Sequence, residues 1–312
     1  MRRFAFSWSA VAIVALVGIA FMLTVAALRA PGDAPGTVPA PTGSALSDPP
    51  TVKAKPGKTV DVGVPDVEPL LSLVDRETAF RGAVGTCLGG STMERTVDGG
   101  ATWGRIKSPA NALTQVVAGT SVVVSVVGAG EDCRAASWSS STGGRTWNGP
   151  GATAGLWFRL PDSAKRIQTP SGTVNNPCDD PSVSVREIQG VDPSVGVLLC
   201  PDGEIRTTSN GGANWPQKSV VQGAVALAWD SPAEGWLLKQ DSELCPGFQL
   251  VRTIDGGASW PQTGGCVGDA SASAPGAEAP SLDFVNPTDG MATVEGAVFT
   301  TTDGGLTWRL AR

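Results

Sequence analysis

The 312 residues contain no tyrosine and no histidine. Together these gaps remove a histidine general base, a tyrosine nucleophile and any imidazole metal ligand. No run of lysine or arginine exceeds two residues and the net charge is −6, so nucleic acid is not expected as a partner. No Cys-x-x-Cys pair is present, which argues against zinc ribbons and thioredoxin-type redox chemistry. The Gly-x-Ser-x-Gly elbow, the phosphate loop ending in Gly-Lys-Ser/Thr and the spaced carboxylates of a calcium loop are also missing. No cofactor and no metal ion is expected.

Turns are abundant instead. Forty glycines and 24 prolines with 6 % aromatics point to many short strands. Arg2 and Arg3 precede an uncharged run from Phe4 to Leu28. A helix over this run would span about 37 Å, against about 30 Å for a bilayer core. The exit reads "VAALRAPG", without an Ala-x-Ala cleavage site or a lipobox cysteine. The expectation is an uncleaved signal-anchor over 1–29 (helix 4–28), with the rest of the chain outside the cytoplasmic membrane. Secretion after cleavage is the alternative. Residues 30–66 are proline-rich and lack aromatics, as a flexible linker does. Beyond them lie Cys87, Cys133, Cys178, Cys200, Cys245 and Cys266. An even count in an exported domain favours disulfides. The most local pairing of the fifteen allowed joins 178 to 200 and 245 to 266, leaving 87 with 133.

One unit recurs five times: "TVDGGATW" at 96–103, "SSTGGRTW" at 140–147, "TSNGGANW" at 208–215, "TIDGGASW" at 253–260 and "TTDGGLTW" at 301–308. Its third position holds Asp98, Thr142, Asn210, Asp255 and Asp303, and its last holds Trp103, Trp147, Trp215, Trp260 and Trp308. Asp-Gly or Asn-Gly between short β-like runs is a hairpin signal, because glycine tolerates positive φ. The side-chain oxygen can accept backbone N–H groups across the bend, and the indole buries a large apolar face as the chain leaves it. Thr142 and Asn210 stand where the other copies have aspartate. A catalytic acid or calcium ligand would not survive that exchange; a hydrogen-bond acceptor does. A second pattern precedes three of these units: "AWDSPAEGWLL" at 228–238, "DFVNPTDGMAT" at 283–293 and, more faintly, "GVDPSVGVLL" at 190–199. It reads as a first hairpin. Each unit then offers four short strands, and a period near 45 residues describes the blades of a propeller.

These segments resemble Asp-box (BNR) repeats, of the form Ser/Thr-x-Asp-x-Gly-x-Thr-Trp, found in sialidases, sortilin-type receptors and the photosystem II assembly-factor propeller. The resemblance implies an all-β β-propeller in which the box joins the third and fourth strands and stabilises the blade away from any ligand. The expected domain covers 67–312, with blades near 67–108, 109–150, 183–219, 220–267 and 277–312. Residues 151–182 are expected as an insertion between blades; a sixth, degenerate blade is the alternative.

"FRLP" at 158–161 resembles the Phe-Arg-Ile-Pro motif of sialidases, whose arginine binds the substrate carboxylate. In that family the motif precedes the first box, whereas here it follows the second. That family also needs a tyrosine nucleophile, which this chain lacks. Trp157 and Arg159 are nevertheless the candidates for facing a ligand. The acidic doublets Glu131-Asp132 and Asp179-Asp180 do not form a glycosidase pair, since neighbouring strand residues face opposite ways. The expectation is a non-catalytic, membrane-anchored propeller that binds or assembles another envelope protein, as the assembly-factor resemblance implies. A glycan-binding or glycan-hydrolysing propeller is the alternative. Intact-mass measurement of the membrane-extracted protein tests the anchor. It should retain residues 1–29, and loss of about the first 30 would rule the anchor out.

Overall fold

The computed structural model describes residues 70–240, 244–261, 264–268 and 279–312. The anchor helix and the linker expected over 1–66 lie outside these residues. Among the described residues no helix is long and apolar enough to cross a membrane.

Strands follow one another as antiparallel neighbours within six separate sheets. Blade 1 contains β1 (Leu70–Leu73), β2 (Ala79–Ala83), β3 (Thr92–Thr96) and β4 (Gly104–Ile106); blade 2 contains β5 (Ala112–Ala118), β6 (Val124–Ala129), β7 (Ala135–Ser140) and β8 (Asn148–Gly151). Blade 3 has only β9 (Phe158–Arg159), β10 (Arg166–Thr169) and β11 (Gly172–Asn175). Blade 4 is β12 (Glu187–Gly190), β13 (Gly196–Leu199), β14 (Glu204–Thr208) and β15 (Gln217–Val220). Blade 5 is β16 (Ala224–Trp229), β17 (Gly235–Lys239), β18 (Phe248–Thr253) and β19 (Cys266–Val267). Blade 6 is β20 (Ser281–Phe284), β21 (Gly290–Val294), β22 (Ala297–Thr301) and β23 (Arg309–Leu310). The leading strands β1, β5, β9, β12, β16 and β20 each touch the next, and β20 touches β1. The ring is closed: this is a six-bladed β-propeller.

Burial explains why the sequence alternates so weakly near the axis. Every residue of β16 and of the second strands β13 and β21 is buried, because both faces of these strands pack against neighbouring blades. Such strands read as continuous apolar runs. At the rim, β8 is exposed at all four residues and β23 at both. Blade-to-blade packing is aromatic in places. Trp236 of blade 5 stacks on Phe284 of blade 6 with centroids 4.1 Å apart, and Trp157 meets Trp215 edge-on at 5.7 Å.

The 151–182 segment is a blade, not an insertion, and the count is six rather than five. Two signals were missing from it. Its first strand has two residues, and a tight Pro170-Ser171 bend stands where the other blades carry the eight-residue unit. The buried threonine survives: Thr169 donates to the Gly172 carbonyl at 2.9 Å. This bend meets the repeated turn of blade 4, with Ser171 N–H on Gly211 O at 2.9 Å. The strands of blade 3 therefore correspond to the second, third and fourth of the others. Its inner strand β9 runs opposite to the other inner strands and takes the place of the missing first one.

The repeated unit is a hydrogen-bonded knot. Thr96 Oγ1 donates to Asp98 Oδ1 at 2.7 Å and accepts Gly100 N–H at 2.9 Å. Asp98 in turn accepts Thr102 N–H at 2.9 Å and Thr102 Oγ1–H at 2.5 Å. The same contacts recur around Thr253 and Asp255 and around Thr301 and Asp303. Asn210 and Thr142 keep the backbone acceptance, from Asn214 N–H at 3.1 Å and Thr146 N–H at 2.9 Å. The acceptor role is what persists across all five copies.

The second glycine of the unit joins blades. A Cβ on Gly100 would lie 2.6 Å from Val298 Cγ1 of blade 6, on Gly144 2.5 Å from Ile106 Cδ1 of blade 1, and on Gly305 2.0 Å from Leu250 Cδ2 of blade 5. Its φ is also positive, +90° at Gly100. The first glycine, Gly99, has φ +71° but meets only Arg76 O, at 3.2 Å. Gly99→Ala should therefore cost about 1 kcal/mol in backbone strain alone. Gly100→Ala should cost about 3 kcal/mol, since overpacking adds to the strain. Urea unfolding of both variants measures the difference; equal losses would mean that the second glycine does not seat one blade on the next.

Candidate functional site

The two ends of the propeller differ in construction. At one end the first glycine of each repeated unit donates to the first turn of its own blade: Gly99 to Glu77 O, Gly143 to Val122 O, Gly211 to Ser194 O, Gly256 to Ala233 O and Gly304 to Thr288 O, at 2.7–2.9 Å. These first turns are themselves capped by side chains. Asp75 accepts from Glu77 and Thr78 N–H, Asp192 from Ser194 and Val195 N–H, and Asn286 from Thr288 and Asp289 N–H. The opposite end holds the second-to-third-strand loops and all three disulfides. Cys87–Cys133 joins the loops of blades 1 and 2, Cys178–Cys200 ties the segment after β11 to blade 4, and Cys245–Cys266 closes the loop of blade 5. The pairing is the local one expected from the spacing.

Between the ends runs a central cavity of about 190 Å³, lined from all six blades. Inner strands of successive blades are laced across it by side chains. Ser72 Oγ accepts Ala118 N–H at 2.9 Å, Glu187 Oε2 accepts Leu227 N–H at 2.7 Å, and Asp283 Oδ2 accepts Leu73 N–H at 2.7 Å. Gln189 Nε2 donates to Trp229 O at 3.3 Å. Ser72, Gln189 and Asp283 hold the corresponding position in blades 1, 4 and 6, the second residue before each first turn, so they share one level of the channel. The bond from Leu73 to Asp283, with the 2.7 Å ion pair of Arg76 and Asp289, bridges the last blade to the first.

Of the two ligand-facing candidates, the structure places only Arg159 on the channel wall. Its guanidinium donates to the carbonyls of Arg186 at 2.8 Å and Val185 at 3.4 Å, bracing reversed β9 against blade 4. Trp157 is buried, donates to Asp192 O at 3.1 Å and packs over Gly190 and Gly196, whose lack of side chains makes room for the ring. It faces the blade interface. The five unit-ending tryptophans pack at blade interfaces, Trp103 under Arg81 and Trp260 donating to Ser219 Oγ of the preceding blade. Glu131, Asp132, Asp179 and Asp180 are exposed on loops. Cys200, Asp202 and Glu204 lie close together, but the Cys200 sulfur is committed to its disulfide and is no metal ligand.

Asp283 has no counterpart in the sequence reading. It lies outside the eight-residue units, at the start of the "DFVNPTDG" hairpin, and its signal is a carboxylate breaking an apolar strand. Burial pushes its carboxyl up to about 7, against the two N–H groups that hold the charged form, and nearby Asp230 raises it further. The repeated carboxylates move the other way. Threonine hydroxyl and backbone donors bring Asp98 and Asp303 down to about 2, and Ser259 lowers Asp255 likewise.

No family model matches the chain, and no curated protein matches it. Among solved structures, it is similar to a GH74 xyloglucanase from Xanthomonas campestris, at 14% identity over 77% of this chain and TM-score 0.30. The chain spans 38% of the length of that enzyme. YCF48 from Cyanidioschyzon merolae shows 14% identity over 79% of this chain and 85% of its own, TM-score 0.32. A fucose-specific lectin from Aleuria aurantia shows 11% identity over 78% and 94%, TM-score 0.46. At these identities and scores none of them bears on what this chain binds or does.

The opposed shifts give the stability curve two limbs. Asp98 and Asp303, depressed in the fold, stabilise it above about pH 4, and this contribution is lost as pH falls through about 2. Asp283, raised in the fold, stabilises it fully below about pH 4, and its contribution is lost as pH rises through about 7. Asp283→Asn should flatten the upper limb, raise the melting temperature at pH 8 by a few degrees and leave the acid limb in place. Thermal melts from pH 2 to 8 check this; an unchanged upper limb in the variant would place the titration elsewhere.

Proposed function

We propose that the protein is a non-catalytic scaffold, anchored by its N-terminal segment and displayed outside the cytoplasmic membrane, that docks another envelope protein on the disulfide-bearing end of the propeller. The observation that carries this reading is the placement of the disulfides. All three tie irregular loops at one end, while the other end is built of repeated short turns. Loops fixed before binding lose less conformational freedom on contact, so cross-linked loops favour recognition.

The exposed side chains there fit a protein partner. Leu88 is 92% exposed beside Cys87, and Leu244 is 65% exposed beside Cys245. The loops at the same end also carry the exposed carboxylates Glu131, Asp132, Asp179, Asp180 and Asp202. Apolar side chains within a charged rim are the usual make-up of a protein interface.

A photo-crosslinking residue at position 88 in living cells, compared with one at Ile254 on a repeated turn at the other end, tests the reading. One dominant envelope protein should be captured from position 88 and not from 254. Equal capture from both, or none from 88, would overturn it. Retention on isolated cell-wall glycan without a captured protein would point to a glycan ligand instead.

A further inference from the structure

We propose that the central channel receives a slender organic cation, an alkylammonium or guanidinium group, against the carboxylate of Asp283. This goes beyond the docking reading and does not depend on it.

The channel is rich in acceptors and short of donors at the level of Asp283. Its carboxyl accepts the N–H groups of Leu73 and Phe284. Among the described residues no basic side chain bonds to it. Ser72 Oγ at that level already serves as an acceptor. An enclosed carboxylate without a counter-charge is costly. A group bringing N–H donors and a positive charge supplies that counter-charge.

Shape and charge narrow the class. A cavity of about 190 Å³ takes one side-chain-sized group. A calcium ion would need six to eight oxygens, usually from several carboxylates. Here a single carboxylate stands at the level concerned. The charges around the site have been assigned other work or add to the attraction. β1, β5 and β16 carry none. Asp230 follows β16 at the same end and reinforces the negative potential. Arg76 is held by Asp289, and Asp75 caps its own turn. Across the channel, Arg159 braces the carbonyls of residues 185 and 186, and Glu187 holds Leu227 N–H.

Binding is linked to a proton. The unliganded carboxyl carries its proton below about pH 7 and gives it up when the cation arrives. Affinity should therefore be about tenfold lower at pH 6 than at pH 8, with release of close to one proton at pH 6.

The test is titration calorimetry of the full-length protein in detergent with n-butylammonium and with Nα-acetyl-lysine methylamide, at pH 6 and pH 8 and in buffers of differing ionisation enthalpy. Saturable one-to-one binding, weaker at pH 6 and accompanied by proton release, is expected. Asp283→Asn, which keeps an acceptor for Leu73 N–H, should abolish it while circular dichroism stays that of the wild type. Undiminished binding by this variant, equal binding of n-butanol, no binding at either pH, or displacement of the amine by calcium would each overturn the proposal. The proton release is read on the wild type, so the proposal stays exposed to refutation if the variant misfolds. Loss of the crosslink from position 88 on adding n-butylammonium would identify the cation as a basic side chain of the docked protein. An unchanged crosslink with the amine still bound would identify a free amine. A failed crosslinking experiment removes the docking reading and leaves the amine titration untouched.

Discussion

At the base of each repeated unit a buried hydroxyl, from Thr96, Ser140, Thr208, Thr253 or Thr301, accepts the N–H of a glycine four residues later. That bond holds the glycine in a positive-φ bend, where its backbone lies against a side chain of the preceding blade such as Val298, Ile106, Thr169 or Leu250. The distance from one sheet to the next is thereby set by a contact that leaves no room for a Cβ. Aspartate, asparagine or threonine above the hydroxyl serves the same bend, so its replacement among copies follows from the chemistry of acceptance. Blade 3 has neither the long unit nor its indole, and its buried Thr169 donates to the Gly172 carbonyl where the other hydroxyls accept a glycine N–H.

The rest of the molecule follows from that spacing. Sheets seated so closely leave some strands with no solvent face, hence the complete burial of β13, β16 and β21. Polar groups reaching the axis must be satisfied across blade boundaries, and Ser72, Glu187, Gln189 and Asp283 do this by bonding the neighbouring blade's backbone. Asp283 combines two roles in one group. It laces the last blade to the first, and it faces the cavity with a charge that no basic side chain among the described residues answers.

Five blades were legible because the five turns share one local chemistry, and their strand order followed from it. Blade 3 was not legible. Two residues of β9 show no periodicity, and Pro170-Ser171 makes its turn without glycine doublets or tryptophan. The nearest-neighbour cysteine pairing was open to reading because the loops at one end lie side by side. The channel was hidden for a different reason. Its residues come from the leading strands of all six blades, far apart in the chain, and Asp283, Gln189 and Ser72 look unalike until the first turns are superposed. Trp157 shows the limit of residue type as a guide. An indole near an arginine suggested a ligand surface, yet Gly190 and Gly196 had been cleared to bury it.

The seam between blades 6 and 1 differs in kind from every other boundary in the ring. Elsewhere the backbone passes from one sheet to the next, and disulfides reinforce two of those crossings, between blades 1 and 2 and between blades 3 and 4. Among the described residues the seam is held by lateral contacts, including a Leu73–Asp283 bond, the Arg76–Asp289 pair and an apolar cluster around Leu73, Ala79, Met291 and Val298. The closure of the ring therefore rests on side-chain contacts between its first and last blades and on no covalent link between them.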